Sequence, residues 1–151
     1  MIWTPHATVA TIVEKDEQLL FVEELSNGLP VFNQPAGHVE EGESILDAAV
    51  RETREETGWA ITLTGFLGAY TYRAPSNGVT YYRFCFTAQP IAQVSDALDE
   101  CIIAAHWICK KDFEQLANHQ LRSPLVSRCV RDYFERPPLP LSTLYEHPIE
   151  C

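Results

Sequence analysis

The chain has 151 residues, 21 of them acidic and 11 basic, for a formal net charge of −10 at neutral pH. That length suits one domain with a sizeable core. With no run of Lys or Arg to neutralise phosphates or lipid headgroups, nucleic-acid polymers and anionic membranes are poor partners.

The first elements are strands. His6 to Val13 is β-rich, Lys15-Asp16 makes a turn, and Gln18 to Val22 pairs back as a hairpin. Ser26-Asn27-Gly28 is turn chemistry before a short strand, Val31 to Gln34, which Pro35 ends. After an acidic segment, Trp59 to Tyr72 is β-branched and aromatic. Pro75 to Gly78 turns it back into Thr80 to Ala88, which alternates with period two. A polar loop over Gln93–Glu100 leads to a strand near Ile102–Ile108 and a helix near Lys111–Leu116. A last helix starts at Arg122 or Ser123, with Pro124 in its first turn and Leu125, Val126, Cys129, Val130 and Phe134 on one side. The expected division is one domain over residues 1–136 and a Pro-rich tail over 137–151, irregular but docked by Leu139, Leu141 and Tyr145. Helices covering a mixed sheet follow from this order, an α/β (α+β) class.

Cys85, Cys101, Cys109, Cys129 and Cys151 are odd in number and contain no CxxC pair, so neither structural zinc nor a disulfide framework is expected. Cys85 and Cys109 lie in apolar runs and read as buried thiols. No basic stretch followed by an apolar core opens the chain, and no apolar run approaches membrane-spanning length. A cytoplasmic setting is the expectation, with monomer and homodimer both open.

The chemistry concentrates between Gly37 and Trp59, which carries Glu40, Glu41, Glu43, Asp47, Glu52, Glu55 and Glu56 against only Arg51 and Arg54. Leu46, Ala49, Val50, Thr53 and Thr57 recur at helical spacing, Ser44 and Asp47 are spaced as a capping box, and Gly58 ends the helix. Glu52 and Glu56 then share one face, with Glu55 beside them. A Glu-rich helix is ordinarily a solvated acidic face. Here the three carboxylates adjoin the apolar stripe and follow a glycine turn. One guanidinium cannot neutralise them all, which points to a hard divalent cation.

These residues also carry a family resemblance. Gly37, Glu43 after five residues, Arg51-Glu52 after seven more, then Glu55-Glu56 and Gly58, resemble the Nudix box G-x5-E-x7-R-E-U-x-E-E-x-G-U, where U is bulky and apolar. Thr53 at the first U position and Trp59 at the second are the departures. The resemblance implies a Nudix α/β/α sandwich with a mixed β-sheet and Mg2+-dependent (or Mn2+-dependent) hydrolysis of a small phosphorylated substrate. It implies Glu52 and Glu56 as metal ligands and Glu55 as a ligand or the base that activates water. Arg51 and Glu43 would orient those ligands, and the Gly37 carbonyl is a further donor. Glu100 is the choice for an extra ligand from the loop, with Asp99 and Asp96 as competitors.

Substrate contacts are expected from Phe32 and Gln34 just before the box and from Tyr72, Arg73, Tyr81 and Arg83 on the hairpin after it, rings for stacking and guanidinium forks for phosphate. Residues 33–38 and 121–126 resemble a group of phosphatases within the family. That group releases orthophosphate from nucleoside di- and triphosphates and from hydroxymethylpyrimidine diphosphate. An ADP-ribose or dinucleotide pyrophosphatase is the alternative enzyme. A Nudix-fold binding module without catalysis is disfavoured, because no box carboxylate is missing.

Overall fold

The computed structural model describes residues 1–150. Seven strands and three α-helices follow one another as β1 (His6–Lys15), β2 (Gln18–Ser26), β3 (Leu29–Asn33), β4 (Ala36–His38), α1 (Ile45–Thr57), β5 (Trp59–Arg73), β6 (Thr80–Gln93), β7 (Ile102–Cys109), α2 (Lys110–Glu114) and α3 (Pro124–Glu135). β1 runs parallel to β6 and antiparallel to β4, while β6 pairs antiparallel with β5. The end of β1 turns into β2, which lies antiparallel to both β3 and β7. The sheet is therefore mixed.

β1 explains the layering, because its alternate residues face opposite sides of the sheet. Ala10 and Ile12 join Phe21, Leu67, Phe113, Val126, Cys129 and Val130 beneath α3. Val9 joins Ala48, Ala49, Phe66 and Phe86 beneath α1, and Val13 joins Leu20, Ile61 and Ala88. Thr53, the polar residue at an apolar box position, is fully buried. Its hydroxyl is bonded to the Ala49 carbonyl (2.8 Å) and to the Thr11 hydroxyl (2.8 Å), so the β-branched methyl packs with no polar atom left over.

α1 begins at Ser44, whose Oγ accepts from Asp47 N (3.0 Å). Its next free amide, Ile45 N, donates to Glu146 of the tail (2.7 Å). Gly58 closes the helix at φ 77°, and its carbonyl accepts from Val94 N (2.8 Å), which ties the polar loop to the helix end.

The chain after α3 is more ordered than its Pro content suggests. Leu139 exchanges two backbone hydrogen bonds with Phe66 (both 2.8 Å), and a single 3-10 turn spans Leu141–Thr143. A Cβ on Gly65 would lie 2.7 Å from Pro138, so this approach requires glycine. Leu141 docks as expected, but its partner is Leu144, while Tyr145 stands in solvent. The expected buried stripe of α3 stops short of Phe134, which is exposed, and Asp132 is buried instead. Cys109 is only half-buried. No helix is long and apolar enough to cross a membrane.

Asp132 is the buried polar tie between α3, β5 and the start of the tail. It accepts from the Tyr70 hydroxyl (2.8 Å), Arg128 Nε (3.1 Å to each oxygen) and Arg136 Nη2 (3.4 Å). Burial pushes this carboxyl up, but the Tyr70 and Arg128 hydrogen bonds and the two guanidinium charges outweigh it and hold it below its ordinary value. A depressed carboxyl stabilises the fold above its unfolded pKa and loses that contribution as pH falls through the folded one. Asp132→Asn is expected to cost about 1–3 kcal/mol at neutral pH in chemical denaturation, with the gap to the unsubstituted protein narrowing below pH ~4. A gap that stays constant into acid would contradict the assignment.

Candidate active site

α1 lies against β1 and β5, and β4 is hydrogen-bonded to β1 through the register Thr8↔His38, Val9↔Gly37 and Ala10↔Ala36. This seats the short β4 backbone on the carboxylate face of α1. Ala36 N donates to Glu56 Oε1 (2.8 Å). At Gly37 a Cβ would collide with the Glu52 carboxyl group, so glycine here is a matter of space and not of backbone conformation.

Arg51 organises the rest. It meets Glu43 with a fork, Nε to Oε2 (2.6 Å) and Nη2 to Oε1 (2.9 Å). Its Nη1 reaches Glu52 Oε1 (2.9 Å) and Glu55 Oε2 (3.0 Å), and its Nη2 also reaches the His38 carbonyl (3.0 Å). The Glu43 hydrogen bonds hold the guanidinium well above its ordinary range and Glu43 below its own.

Glu52, Glu56 and Asp99 each bring a carboxylate oxygen to one place, all within 4.8 Å of one another. Burial pushes Glu56 up to about 8, the Ala36 amide partly opposes this, and Glu24, Glu52 and Asp99 add to it. Burial also raises Glu52, with Glu55 and Asp99 adding to the shift against the pull of Arg51. Three converging carboxylates, two of them shielded from water and only Glu52 bonded to a guanidinium, are the donor chemistry of a hard divalent cation.

Glu55 stands outside that group, 43% exposed and held by Arg51. Glu43 serves Arg51 and lies outside it too. The loop carboxylate that arrives is Asp99 and not Glu100. The reason is local. Asp99 N donates to the Glu55 carbonyl (3.0 Å) at the end of α1, and its own carbonyl accepts from Ile102 N (2.9 Å), which pins residue 99 against the helix.

Beside this cluster lies a cavity of about 280 Å3. Tyr72, Tyr81 and Arg83 line it together with Ala36, Gly37 and His38. Tyr72 and Tyr81 are cross-strand partners, and Arg83 is two residues on, so all three share a sheet face. Arg73, one residue from Tyr72, points the other way and is exposed away from the cavity. Phe32 packs on the core and edge-on to His106 (5.7 Å), also away from the cavity. Gln34 is completely buried, accepting from Arg83 Nη1 (2.9 Å) and donating to Cys85 Sγ (3.4 Å), so it touches Arg83 and not the cavity.

Glu24, Asn33, Arg122 and Ser123 also line the cavity, although none of them is among the substrate contacts expected from the sequence. Glu24 accepts from Asn33 Nδ2 (3.2 Å) and pairs with Arg122 Nε (3.3 Å); burial raises its carboxyl despite these partners. Asn33, Arg122 and Ser123 carried a signal, as members of the segments that resemble the family's phosphatases, and Glu24 carried none.

Known proteins share this fold. The NUDIX domain family matches residues 4–129. Phosphatase NudJ of Escherichia coli is 36% identical over 134 residues, which cover 87% of this chain and 85% of that protein. A NUDIX hydrolase from Nitrosomonas europaea superposes with a TM-score of 0.90 at 38% identity, covering 95% of this chain and 98% of that one. The NUDIX domain of Shewanella oneidensis NrtR, solved in complex with ADP ribose, shares the fold at 17% identity, with a TM-score of 0.72 and 89% of each chain covered. With its box intact on α1 and these likenesses spanning most of its length, the chain belongs to the Nudix hydrolase family, as a homologue of phosphatase NudJ.

Proposed function

We propose that the protein is a divalent-metal-dependent phosphohydrolase that removes the terminal phosphate of nucleoside di- and triphosphates or of hydroxymethylpyrimidine diphosphate as orthophosphate. The observation that carries this reading is the convergence of Glu52, Glu56 and Asp99 beside the Gly37 backbone, where a cavity begins. The likeness to phosphatase NudJ supports orthophosphate as the product. The cavity volume of about 280 Å3 favours a small organic half over a dinucleotide.

Glu52, Glu56 and Asp99 would hold the ion, Mg2+ or Mn2+, with the Gly37 carbonyl as a further donor and Asp99 in the place expected for Glu100. Such an ion, when bound, neutralises phosphate oxygens and makes a water acidic enough to attack phosphorus. Glu55 is suited to take the proton from that water. One of its oxygens is anchored by Arg51, and the exposed position leaves the other facing solvent. Arg51 and Glu43 fix the helix-face carboxylates in position. Tyr72, Tyr81 and Arg83 meet the substrate, and Gln34 sets the Arg83 guanidinium.

Glu56→Gln is expected to lower turnover about 10²–10³-fold, since it removes a charge at the reacting centre. The same substitution should abolish the rise in Tm that Mg2+ gives the unsubstituted protein beyond an equal ionic strength of NaCl. Equal shifts from the two salts would remove the metal assignment.

Gly37→Ala keeps an ordinary backbone but pushes the Glu52 carboxyl aside, and a displacement of that size costs about 10²-fold in rate. Unchanged kcat/KM would place Glu52 outside the chemistry.

Product analysis tests the cleavage position. A nucleoside triphosphate should give orthophosphate and the diphosphate first, and pyrophosphate as the sole first product would exclude terminal cleavage.

A further inference from the structure

Among the described residues, two buried side-chain atoms lack a hydrogen-bond partner, Asn33 Oδ1 and Arg83 Nε, and both residues line the cavity. Buried polar groups are nearly always bonded, so two orphans around one cavity call for a ligand. The residues are 6% and 8% exposed, and each is held in place from behind. Asn33 turns its Nδ2 to Glu24, which leaves the oxygen as the unused end. Arg83 gives Nη1 to Gln34, whose own amide is fixed by Cys85.

The charges around the cavity do not balance. Glu24 and Arg122 pair with each other. Arg83 has no carboxylate within ion-pair distance among the described residues; Glu24 is near enough to feel its charge but is paired with Arg122, and the Cys85 and Cys129 thiols are its other neighbours. One carboxylate thus faces two guanidiniums, and a buried guanidinium without a partner of its own costs free energy that an anion recovers. The 12-residue helix α3 also opens on this cavity at its N-cap Ser123, and the helix dipole puts positive potential there. Two of the lining residues adjoin the carboxylate cluster, Gly37 beside the Glu52 carboxyl and Ala36 through its amide to Glu56, so cavity and cluster share the β4 backbone as a neighbour.

We propose that this cavity is a receptor for a phosphomonoester, the organic half that keeps one phosphate after terminal cleavage, with its phosphate on Arg83 and a donor of its organic part on Asn33. The inference rests on the phosphohydrolase reading above. Water adds to the outer phosphorus of the diphosphate, the bridging P–O bond breaks toward the inner phosphate, and the bridging oxygen leaves with the phosphomonoester. The products are orthophosphate, the phosphomonoester and a proton. Arg83 then faces the charge that grows on the leaving group, and the product that stays on Arg83 competes with substrate.

The test is calorimetric binding to the full chain in EDTA, which removes any metal contribution. The probes are cytidine monophosphate, inorganic phosphate and cytidine. Cytidine monophosphate should bind, inorganic phosphate more weakly and cytidine least. Arg83→Gln should weaken cytidine monophosphate about tenfold to hundredfold, the worth of a charge-assisted fork. Arg73→Gln, at an exposed position off the cavity, should leave it unchanged. Arg83→Lys keeps the charge and loses the fork, and should fall between them; it replaces the Gln variant if that one does not fold. Equal binding of cytidine and cytidine monophosphate, or of inorganic phosphate and cytidine monophosphate, overturns the proposal. So does an Arg83 variant that binds normally, or a metal-free protein that binds none of the three. Hydrolysis with Mg2+ is measured separately, so loss of binding with turnover intact rejects this receptor and spares the phosphohydrolase reading.

Discussion

Arg51 is the interaction on which the site depends. α1 puts three glutamates on one stretch of helix surface, and like charges that close separate unless something holds them. Arg51 donates to Glu43, Glu52, Glu55 and the His38 carbonyl, and so ties the helix to the loop before it and to the end of β4. Glu43 saturates the guanidinium from behind with two hydrogen bonds, which leaves Nη1 to steer Glu52 and Glu55. The site is a charge cluster with one fixed cation on its flank and its other carboxylates open to a second.

Around that anchor, backbone contacts decide which carboxylates converge. The Ala36 amide takes one oxygen of Glu56, and the missing side chain of Gly37 leaves room for Glu52. The loop after β6 is stitched to the end of α1 by Val94 N to Gly58 O and Asp99 N to Glu55 O, and this brings Asp99 in. The tail answers at the other end of the helix, where Glu146 accepts from Ile45 N. Both ends of the helix are thus held by segments far away in sequence.

The cavity shows how polar and apolar packing share one sheet. The hairpin of β5 and β6 sends Tyr72, Tyr81 and Arg83 to the same side, over a floor that includes Tyr70, Cys85 and Cys129. Arg83 is buried there because Gln34 meets it, and Gln34 is buried because Arg83 and Cys85 satisfy it. Such mutual satisfaction is what makes a buried polar network tolerable, and the two atoms left over are on residues lining the cavity.

The sequence by itself determined the helices, every strand except β4, the box on α1 and the family. These are local matters: period-two and period-3.6 patterns, the turn at Asn27-Gly28, the Ser44 and Gly58 caps and a fixed spacing of charged residues on one helix. Tertiary structure alone decided the rest. Asp99 and Glu100 are neighbours of like chemistry, and only the hydrogen bond from Asp99 N to α1 separates them. Gln34 and Arg83 both read as substrate residues, yet burial makes one the support of the other. Tyr72 lines the cavity and Arg73 does not, because adjacent strand residues face opposite sides, and which side meets the cavity depends on how the sheet is covered. Tyr145 and Leu144 differ by one position in a tail whose path is set by Gly65 and Phe66 of β5. Glu24 joins the cavity from β2, which the chain brings beside the start of α3 only when folded, and no spacing along the sequence encodes that meeting.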